Sequence, residues 1–273
     1  MPPGDLRDLL ALAGELAHAA AEMARPDRGR TSTCRKADNS VVTDTDHRIQ
    51  AHLVAQIARR FPDHAVVAEE RLAPDPDRPA PTAAEFCWVI DPLDGTRNFV
   101  AGLPCFATSI AVLHHGRPVV GAVREHNLGR LYSATAGGGA ALDGEPIRVC
   151  EADPAHDFLV GIPSSKDEWS NRLISRWVSD RKLVIRNLGS AAVQLAMVAD
   201  GALAGMFCRK CKIWDIAAGI LLIREAGGKV TDADGRDLDA LPLDADVARS
   251  LPILAAEPTL HGRLLRTVQE ARP

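Results

Sequence analysis

The most informative stretch of this sequence is Trp88-Val-Ile-Asp-Pro-Leu-Asp-Gly-Thr-Arg-Asn-Phe99. The β-favouring residues 86–90 are followed at once by Asp91, a proline, Asp94 and a glycine. This pattern predicts a buried strand whose carboxyl end delivers two carboxylates into a tight turn. A lone buried charge costs too much free energy without a cation or a dense hydrogen-bond shell. Because Mg²⁺ prefers oxygen ligands and usually binds together with phosphate, the stretch indicates metal-assisted phosphate chemistry.

The bulk composition is that of an ordinary globular protein. The 273 residues are 46% hydrophobic and 25% charged, which is enough for one large domain or two moderate ones. A formal net charge of −4 gives no general attraction to nucleic acid or anionic membrane, and we expect neither as a partner. No secretory signal or membrane span is evident. Six dispersed cysteines in a chain of this length need no disulfides, so we expect a reduced, cytoplasmic protein.

Hydrophobic periodicity predicts two different halves. An α+β half is expected over residues 1–152, and an α/β half, in which strands and helices alternate, over residues 153–273. Two polar stretches, 27–40 and 73–81, are predicted as loops, the first of them mobile, and Asp143-Gly144 as a hairpin turn. The predicted helices cover 6–24, 43–61, 167–179, 189–198, 215–226 and 258–269. The predicted strands cover 66–68, 86–90, 108–113, 119–123, 131–135, 158–162, 183–185, 204–207 and 253–256.

Acidic residues stand at four separate ends of predicted elements: Asp44 and Asp46, Glu69 and Glu70, Asp91 and Asp94, and Asp215. Acidic residues also occur there for structural reasons, and a helix cap is the simpler interpretation of Asp44. Asp215 could likewise be only an N-cap. A structural role explains Asp91 and Asp94 less easily, because this pair ends a buried strand without an obvious basic partner alongside. Arg97 is the nearest cation and could neutralise one of them.

Taken together, these residues resemble a known family. Asp91-Pro-Leu-Asp94-Gly-Thr96 and Trp214-Asp215-Ile-Ala-Ala-Gly219, followed by Glu225-Ala-Gly-Gly228, are similar to the two signatures of the inositol monophosphatase family. The resemblance continues through Lys36, 42–46, 68–70 and 189–192, and so spans nearly the whole chain. Paired signatures in this order, about 120 residues apart, are far more specific than either alone. The implied fold is α/β (α+β), the layered αβαβα sandwich of the inositol monophosphatase and fructose-1,6-bisphosphatase type.

The resemblance also implies roles for individual residues. Glu69, Asp91 and the Leu93 carbonyl would bind one Mg²⁺, and Asp91, Asp94 and Asp215 a second, with two or three Mg²⁺ per site. Water attacking the phosphate directly would lie near Thr96 and Asp46, and the two metals would activate it and neutralise the leaving oxygen. The implied catalytic residues are Asp46, Glu69 and Thr96. The implied substrate-binding residues are Asp94, Gly95, Thr96, Gly189, Ser190, Ala191, Cys208 and Arg209.

The substrate side departs from the inositol-cleaving relatives. Where they carry a glutamate that contacts substrate hydroxyls, this chain has Cys208, followed by Arg209 and two lysines. A thiol accepts hydrogen bonds poorly, and the cations would suit a second anionic group, but they could equally be surface residues. Cys208 and Cys211 form a C-x-x-C motif, for which two incidental thiols are favoured over a zinc site or a redox dithiol. Lys36 is either an aid to phosphate binding or a surface lysine.

The expected function is that of a Mg²⁺-dependent phosphomonoesterase acting on a small phosphorylated metabolite, with inositol 1-phosphate as default. Fructose-1,6-bisphosphatase, histidinol-phosphatase and 3′-phosphoadenosine nucleotide phosphatase are alternatives with the same metal core. A non-catalytic regulatory binding protein is an alternative of a different class. The resemblance also implies a homodimer. The histidines, including the pair His114-His115 at a predicted turn, are expected to be solvated or in the core rather than ligands.

Overall fold

A computed structural model describes residues 3–35, 41–70, 78–151, 157–162, 167–180 and 182–273. Seven α-helices lie within these ranges: α1 (Pro3–Ala24), α2 (Asp44–Arg60), α3 (Thr96–Ala101), α4 (Glu168–Ser179), α5 (Ala191–Ala199), α6 (Ile213–Glu225) and α7 (Pro258–Glu270). The strands are β1 (Thr33–Arg35), β2 (Val41–Thr43), β3 (Ala65–Ala68), β4 (Phe86–Asp94), β5 (Ala107–His114), β6 (Arg117–Glu125), β7 (Arg130–Thr135), β8 (Gly139–Leu142), β9 (Glu145–Pro146), β10 (Phe158–Gly161), β11 (Leu183–Arg186), β12 (Gly205–Cys211), β13 (Lys229–Thr231) and β14 (Leu251–Ala256).

The first large sheet has seven strands in the order β3-β4-β5-β6-β7-β8-β9. β3 and β4 are parallel, and the remaining neighbours are antiparallel. β4 is buried on both faces: Trp88 and Ile90 pack in one core with α1 and α2, while Cys87 and Val89 pack in another with α5 and α6. Burial on both sides explains the continuous apolar run before Asp91, because a strand with one wet face would alternate.

The second large sheet has five strands in the order β11-β10-β12-β14-β13. β10 is parallel to β11 and β12, whereas β14 is antiparallel to its two neighbours. One face shares the core of α5 and α6, and the other face packs against α4 and α7. The layers therefore run helix, sheet, helix, sheet, helix, which confirms the predicted αβαβα sandwich. α6 is buried nearly all round because it lies between the two sheets.

Several predicted boundaries were wrong. Thr33–Arg35, predicted as part of a mobile loop, pairs with β2 in a small antiparallel ribbon. The strand at residue 86 runs through to Asp94, and the one at residue 204 extends to Cys211. β2 and β13 were not predicted, whereas β9 is the second strand of the predicted hairpin. The turn at Asp143-Gly144 is confirmed, with positive φ at both residues, as the primed hairpin turns require.

Some predictions fall on residues outside the described ranges. Lys36 and much of the predicted loop 73–81 are among them, as is the predicted boundary at residues 152 and 153. The first sheet is built before that boundary and the second after it, and the division into two domains stays a prediction. Within the described part of the chain, no helix has the length and apolar character needed to cross a membrane.

Candidate active site

Asp91 and Asp94 belong to β4 and lie on either side of a β-bulge, rather than in the tight turn that the sequence predicts. Asp91 is opposite Ser109 and Asp94 opposite Ala107, so β4 has one extra residue in this interval. Pro92 fits the bulge because a residue there need not donate to the ladder. Its carbonyl instead accepts a hydrogen bond from Thr108 Oγ1 at 2.8 Å. The bulge therefore places both carboxylates on one stiff segment of a central strand.

Asp91 is only 1% exposed. Its Oδ1 accepts the Leu93 amide at 2.9 Å, a local bond that fixes the carboxylate within the bulge. Burial, together with the charges of Glu69, Asp94 and Asp215, raises the pKa of Asp91 well above its usual value. Without a cation, the surroundings of Asp91 therefore oppose its ionised form.

Asp94 is held across the cleft by the start of α5. Its Oδ2 accepts hydrogen bonds from the Ser190 hydroxyl and, at 2.7 Å, from the Ala192 amide. Ser190 is also the N-cap of α5, since its Oγ accepts the Val193 amide at 3.2 Å. Burial raises the pKa of Asp94 to about 6, although these hydrogen bonds act to lower it. Ser190 thus joins a helix start to a ligand candidate on the first sheet.

Asp215 comes from the first turn of α6. The helix begins at Ile213, so Asp215 is its third residue and not the N-cap, and its Oδ2 accepts the Lys212 amide at 2.7 Å. Ser109 Oγ donates to the Trp214 carbonyl at 3.2 Å and so ties α6 to β5. One carboxylate oxygen each of Asp91, Asp94 and Asp215 lies within 4.8 Å of the others. Burial and the charge of Asp94 raise the pKa of Asp215 well above its usual value.

Glu69 follows β3, next to β4, and lines the same cleft as the three aspartates. Its amide donates to the Ile90 carbonyl at 3.1 Å, and its charge acts to raise the pKa of Asp91, Asp94 and Asp215. The neighbouring Glu70 is fixed differently: its backbone exchanges two hydrogen bonds with the Gln50 side chain, at 2.8 and 3.0 Å. Of the two predicted glutamates, Glu69 is therefore the one at the cleft.

Thr96 and Asp46 meet at the edge of the cleft. Thr96 Oγ1 lies 3.0 Å from the Leu93 carbonyl and 3.3 Å from Asp46 Oδ1. Asp46 Oδ2 accepts hydrogen bonds from the Thr43 amide, at 2.8 Å, and from the Thr43 hydroxyl. The first of these, together with the Asp46 amide donating to Thr43 Oγ1 at 3.4 Å, forms the capping box of α2. Thr43 is thus the cap, and Asp44, interpreted from sequence as the cap, is the exposed first residue of the helix. Burial raises the pKa of Asp46.

The glycines of the cleft allow close approach of neighbouring backbone. Gly95 has φ +89°, and a Cβ there would lie 2.8 Å from the Cys105 carbonyl oxygen. Gly189 has φ +73°, and a Cβ there would lie 2.8 Å from Asn98 Nδ2. Asn98 donates to the carbonyls of Leu188, at 2.7 Å, and Cys105. This amide, whose role the sequence did not reveal, holds the start of α3 against the loop before α5.

The carboxylate cluster fits a hard divalent cation. All of its donor atoms are oxygens, and within the described residues no Lys or Arg side chain forms an ion pair with Asp91, Asp94 or Asp215. Arg97 lines the cleft but does not neutralise either aspartate of β4. Several acidic groups held together by burial and without a basic partner need a cation to stay ionised at neutral pH. The donor set is the one expected for Mg²⁺.

The predicted substrate wall is organised differently from the metal residues. Cys208 and Cys211 lie on β12 at a register shift against β14, both as buried free thiols. The hydrogen bond between the two sulfurs lowers the pKa of Cys208 and raises that of Cys211. Arg209 Nε forms an ion pair with Asp167 Oδ1 at 3.1 Å, and the guanidinium lies 5.7 Å from the Trp169 ring centroid. None of these side chains is among those that line the cleft around Asp91.

The fold and the cleft together define a class of protein: an αβαβα sandwich with a hard-cation site between its two sheets. Comparison with known proteins gives the family. The model of the inositol monophosphatase family matches residues 5–272. This chain therefore belongs to the inositol monophosphatase family, whose members are metal-dependent phosphatases.

Individual proteins that are similar to this chain carry several different names. The chloroplastic phosphatase IMPL1 of Arabidopsis thaliana is 35% identical over an alignment of 244 residues that covers 85% of this chain and 62% of that protein. A fructose-1,6-bisphosphatase/inositol-1-monophosphatase of Thermotoga maritima is 34% identical over 84% of this chain and 83% of its own length. The Nus factor SuhB of Escherichia coli is 37% identical over 74% of this chain and 75% of its own. Among solved structures, an IMPase of Thermotoga maritima superposes with a TM-score of 0.85 at 30% identity, covering 97% of this chain and 98% of the other.

Proposed function

We propose that this protein is a Mg²⁺-dependent phosphomonoesterase that hydrolyses a small polyol or sugar phosphate, with inositol 1-phosphate as the default substrate. One observation carries the proposal: Asp91, Asp94 and Asp215 converge in a cleft of about 340 Å³ with no paired basic side chain among the described residues. Membership of a phosphatase family supports the reaction class. The cleft is of a size for a small phosphorylated metabolite.

The proposed metal ligands divide into two overlapping sets. Glu69, Asp91 and the Leu93 carbonyl would hold one Mg²⁺, and Asp91, Asp94 and Asp215 a second, with two or three ions in all. The Leu93 carbonyl already accepts from Thr96 Oγ1, which leaves its second lone pair for a cation. When bound, the ions would lower the pKa of the attacking water and neutralise charge on the leaving ester oxygen.

Thr96 and Asp46 are proposed to take up the proton of the attacking water. Asp46 Oδ2 is fixed by Thr43, while Oδ1 lies toward the Thr96 hydroxyl. When the Thr96 hydroxyl turns from the Leu93 carbonyl to Asp46 Oδ1, its lone pairs can accept a hydrogen bond from a water in the cleft. As that water attacks, its proton would pass to Thr96 Oγ1 while the Thr96 hydroxyl proton passes to Asp46. Direct attack by water then needs no covalent phosphoenzyme.

The starts of α3 and α5 are proposed to hold the phosphate. Within α3, the first amides that bond to the Gly95 carbonyl are those of Asn98 and Phe99, so the amides of Gly95 and Thr96 precede the helical ladder. Amides at this positive end of the helix dipole suit phosphate oxygens, and the Gly95 amide also bonds to the Asp94 carboxylate. Gly189, Ser190 and Ala191 would complete the wall across the cleft, where Ser190 already positions Asp94.

Replacing Thr96 by valine is expected to lower kcat by about a hundredfold, the lower range for loss of a proton-transfer group. Valine keeps the volume and the β-branched shape but removes the hydroxyl between Leu93 and Asp46. Steady-state kinetics of Thr96→Val and the matched Thr96→Ser provide the measurement. Serine should retain most of the activity and valine should not. Equal loss in both variants would show that the methyl group matters and the hydroxyl does not.

The substrate wall favours a single phosphate over two. Arg209 is engaged by Asp167, and Lys212 Nζ donates to the Ala248 carbonyl at 2.6 Å. Two of the cations that could have met a second anionic group are therefore already engaged. Cys208, at the position where an inositol-specific relative has a carboxylate, is a buried thiol that does not line the cleft around Asp91, and a thiol accepts hydrogen bonds weakly. We therefore propose a less discriminating polyol site, with fewer hydrogen bonds to substrate hydroxyls.

A panel of phosphate esters tests the proposed function. Purified protein is assayed for phosphate release from inositol 1-phosphate, fructose 1,6-bisphosphate, histidinol phosphate and 3′-phosphoadenosine 5′-phosphate, each with Mg²⁺ and with chelator. We expect Mg²⁺-dependent release that is fastest with inositol 1-phosphate and is inhibited by lithium. Preference for the bisphosphate would favour the fructose-1,6-bisphosphatase alternative, which the name of the Thermotoga relative supports. No hydrolysis of any ester would contradict the proposal.

A regulatory role is the alternative of a different class, and the name of the Escherichia coli relative, Nus factor SuhB, favours it. A purely regulatory protein would have no physical need for Glu69, Asp91, Asp94 and Asp215 together. Loss of hydrolysis with retention of the regulatory phenotype in an Asp91→Asn strain would separate the two roles. A homodimer, a cytoplasmic location and the absence of nucleic acid as a partner remain predictions, and light scattering would test the first.

A further inference from the structure

A second group of potential metal ligands lies at the opposite end of β4 from Asp91. Glu85 immediately precedes the strand, and His114 and His115 lie where β5 turns into β6. One ligand atom of each, a carboxylate oxygen and two ring nitrogens, lies within 4.8 Å of the other two. Asp91 lies six positions after Glu85, or about 20 Å along the strand. The two groups are therefore separate sites.

The sheet itself brings these three residues together. Phe86 is the register partner of His114, and the His115 amide donates to the Glu85 carbonyl at 3.0 Å. His114 Nε2 lies 3.2 Å from Glu85 Oε1, and the two histidine ring centroids are 4.4 Å apart. Backbone pairing therefore fixes the positions from which all three side chains project, so that only side-chain rotamers remain to be ordered on binding.

Ring packing restricts His114 further. Its ring lies 4.9 Å from the Phe86 ring, which is stacked at 4.9 Å on His64. His64 Nδ1 in turn accepts a hydrogen bond from Trp88 Nε1 at 3.1 Å, so this column of rings is anchored in the core of the first sheet. His114 is thus a ligand candidate on a rigid support.

The backbone of His115 is unusual for a histidine. It has φ +48°, and within the described residues the only other non-glycine residue with positive φ is Asp143. Asp143 occupies an Asp-Gly turn, in which a positive φ is expected. Asparagine, aspartate or glycine would serve the turn at residue 115 at least as well. The turn alone therefore does not account for an imidazole beside His114 and Glu85.

We propose that Glu85, His114 and His115 form a second metal site, which binds a borderline divalent cation such as Zn²⁺ or Ni²⁺. Two imidazoles and one carboxylate suit such ions, whereas the all-oxygen cluster at Asp91 suits Mg²⁺. Ligand atoms around a tetrahedral ion are roughly 3.4 Å apart, so rotamer adjustments of about 1 Å close the site. The bound ion would join the start of β4 to the β5–β6 turn and stabilise this end of the two strands.

Titration of the full chain with Ni²⁺ tests this site. Any affinity tag is removed, metals are stripped, and Mg²⁺ is present in excess so that the carboxylate cluster is occupied. Calorimetry should show one Ni²⁺ per chain, and the melting temperature should rise by about 5 °C with saturating Ni²⁺. Glu85→Gln and His115→Asn should each weaken Ni²⁺ binding at least about tenfold. Asparagine at residue 115 preserves the left-handed turn, and His18→Ala, on the exposed face of α1, is the control that should bind as the wild type does.

The outcomes separate this site from the proposed phosphatase function. Glu85→Gln and His115→Asn should hydrolyse phosphate esters with Mg²⁺ as the wild type does, because neither residue lines the catalytic cleft. Unchanged Ni²⁺ affinity in both variants, or no Ni²⁺ bound by the wild type, would overturn the proposal. It would also be overturned if Asp91→Asn abolished Ni²⁺ binding while Glu85→Gln preserved it, because the ion would then lie at the carboxylate cluster.

Discussion

Asp91→Asn is expected to lower phosphate release by about three orders of magnitude or more while the protein stays folded. Asp91 is the one residue proposed to contact both metal ions, and loss of several kcal/mol of charge stabilisation in the transition state corresponds to such a factor. The asparagine has nearly the same volume and can still accept the Leu93 amide that Asp91 Oδ1 accepts at 2.9 Å. Steady-state kinetics with saturating Mg²⁺, together with circular dichroism and thermal melting, provide the measurement.

The metal-free Asp91→Asn variant should even be more stable than the metal-free wild type at neutral pH. The substitution removes a carboxylate that burial and three neighbouring charges disfavour. Asp63→Asn, at an exposed position after α2, is the matched control and should keep full activity. Retention of wild-type turnover by Asp91→Asn would exclude the proposed metal bridge. A variant that fails to fold would be replaced by Asp94→Asn, for which we expect the same loss of turnover.

The metal-free protein is expected to lose stability as the pH rises, and Mg²⁺ to reverse that loss. The pKa of Asp94 is raised from 3.8 to about 6, and those of Asp91 and Asp215 are raised well above their usual value. The folded state therefore holds protons that the unfolded chain has already released. Its free energy of unfolding falls by about 1.4 kcal/mol per pH unit for each carboxyl group that is still protonated.

Two buried histidines set the pH range for this measurement. Burial lowers the pKa of His126 to about 3 and that of His261 to about 4. Their contribution has the opposite sign: it is fully present above the unfolded histidine pKa of 6.5 and is lost as the pH falls below it. The comparison is therefore made above that value, where the histidines are mostly neutral in both states. It is kept below the range in which unfolded cysteines ionise, because burial raises the pKa of the Cys87 and Cys211 thiols and would add a slope of the same sign there.

Thermal melting between about pH 7 and 8 provides the test. In chelator, the melting temperature should fall with pH, and in excess Mg²⁺ it should be higher and nearly flat, because bound cations stabilise the ionised carboxylates. Asp94→Asn should show a smaller Mg²⁺ effect, since one proposed ligand is lost. A melting temperature that rises with pH in chelator, or that does not respond to Mg²⁺, would contradict the proposed cluster.

The sequence was sufficient for the layered fold and for the residues that meet at the cleft. The continuous apolar run before Asp91 predicted a buried strand, and β4 is buried on both faces. The paired motifs around Asp91 and Asp215 identified the family, whose model matches the chain. These features were predictable because each depends on residues that are close together in the sequence, either a hydrophobic run or a short motif.

The contacts that hold the site were not predictable, because they join residues far apart in the chain. Ser190 binds Asp94 across 96 positions, and Asn98 binds the Leu188 carbonyl across 90. The ion pair of Arg209 with Asp167 shows the same limit: the sequence offered Arg209 as a substrate contact, and only the fold shows its acidic partner. The bulge in β4 escaped prediction as well, because an Asp-Pro pair followed by glycine is more typical of a turn.

A crystal structure with Mn²⁺ and inorganic phosphate is the most direct test of the proposed metal site at Asp91. Mn²⁺ accepts the oxygen ligands of Mg²⁺, and its anomalous scattering identifies each ion. We expect at least two Mn²⁺ ions, both contacting Asp91, one of them also contacting Glu69 and the other Asp94 and Asp215. The phosphate should lie between these ions and the amides of Gly95 and Thr96. Anomalous density absent from this cluster, or phosphate bound elsewhere on the protein, would contradict it.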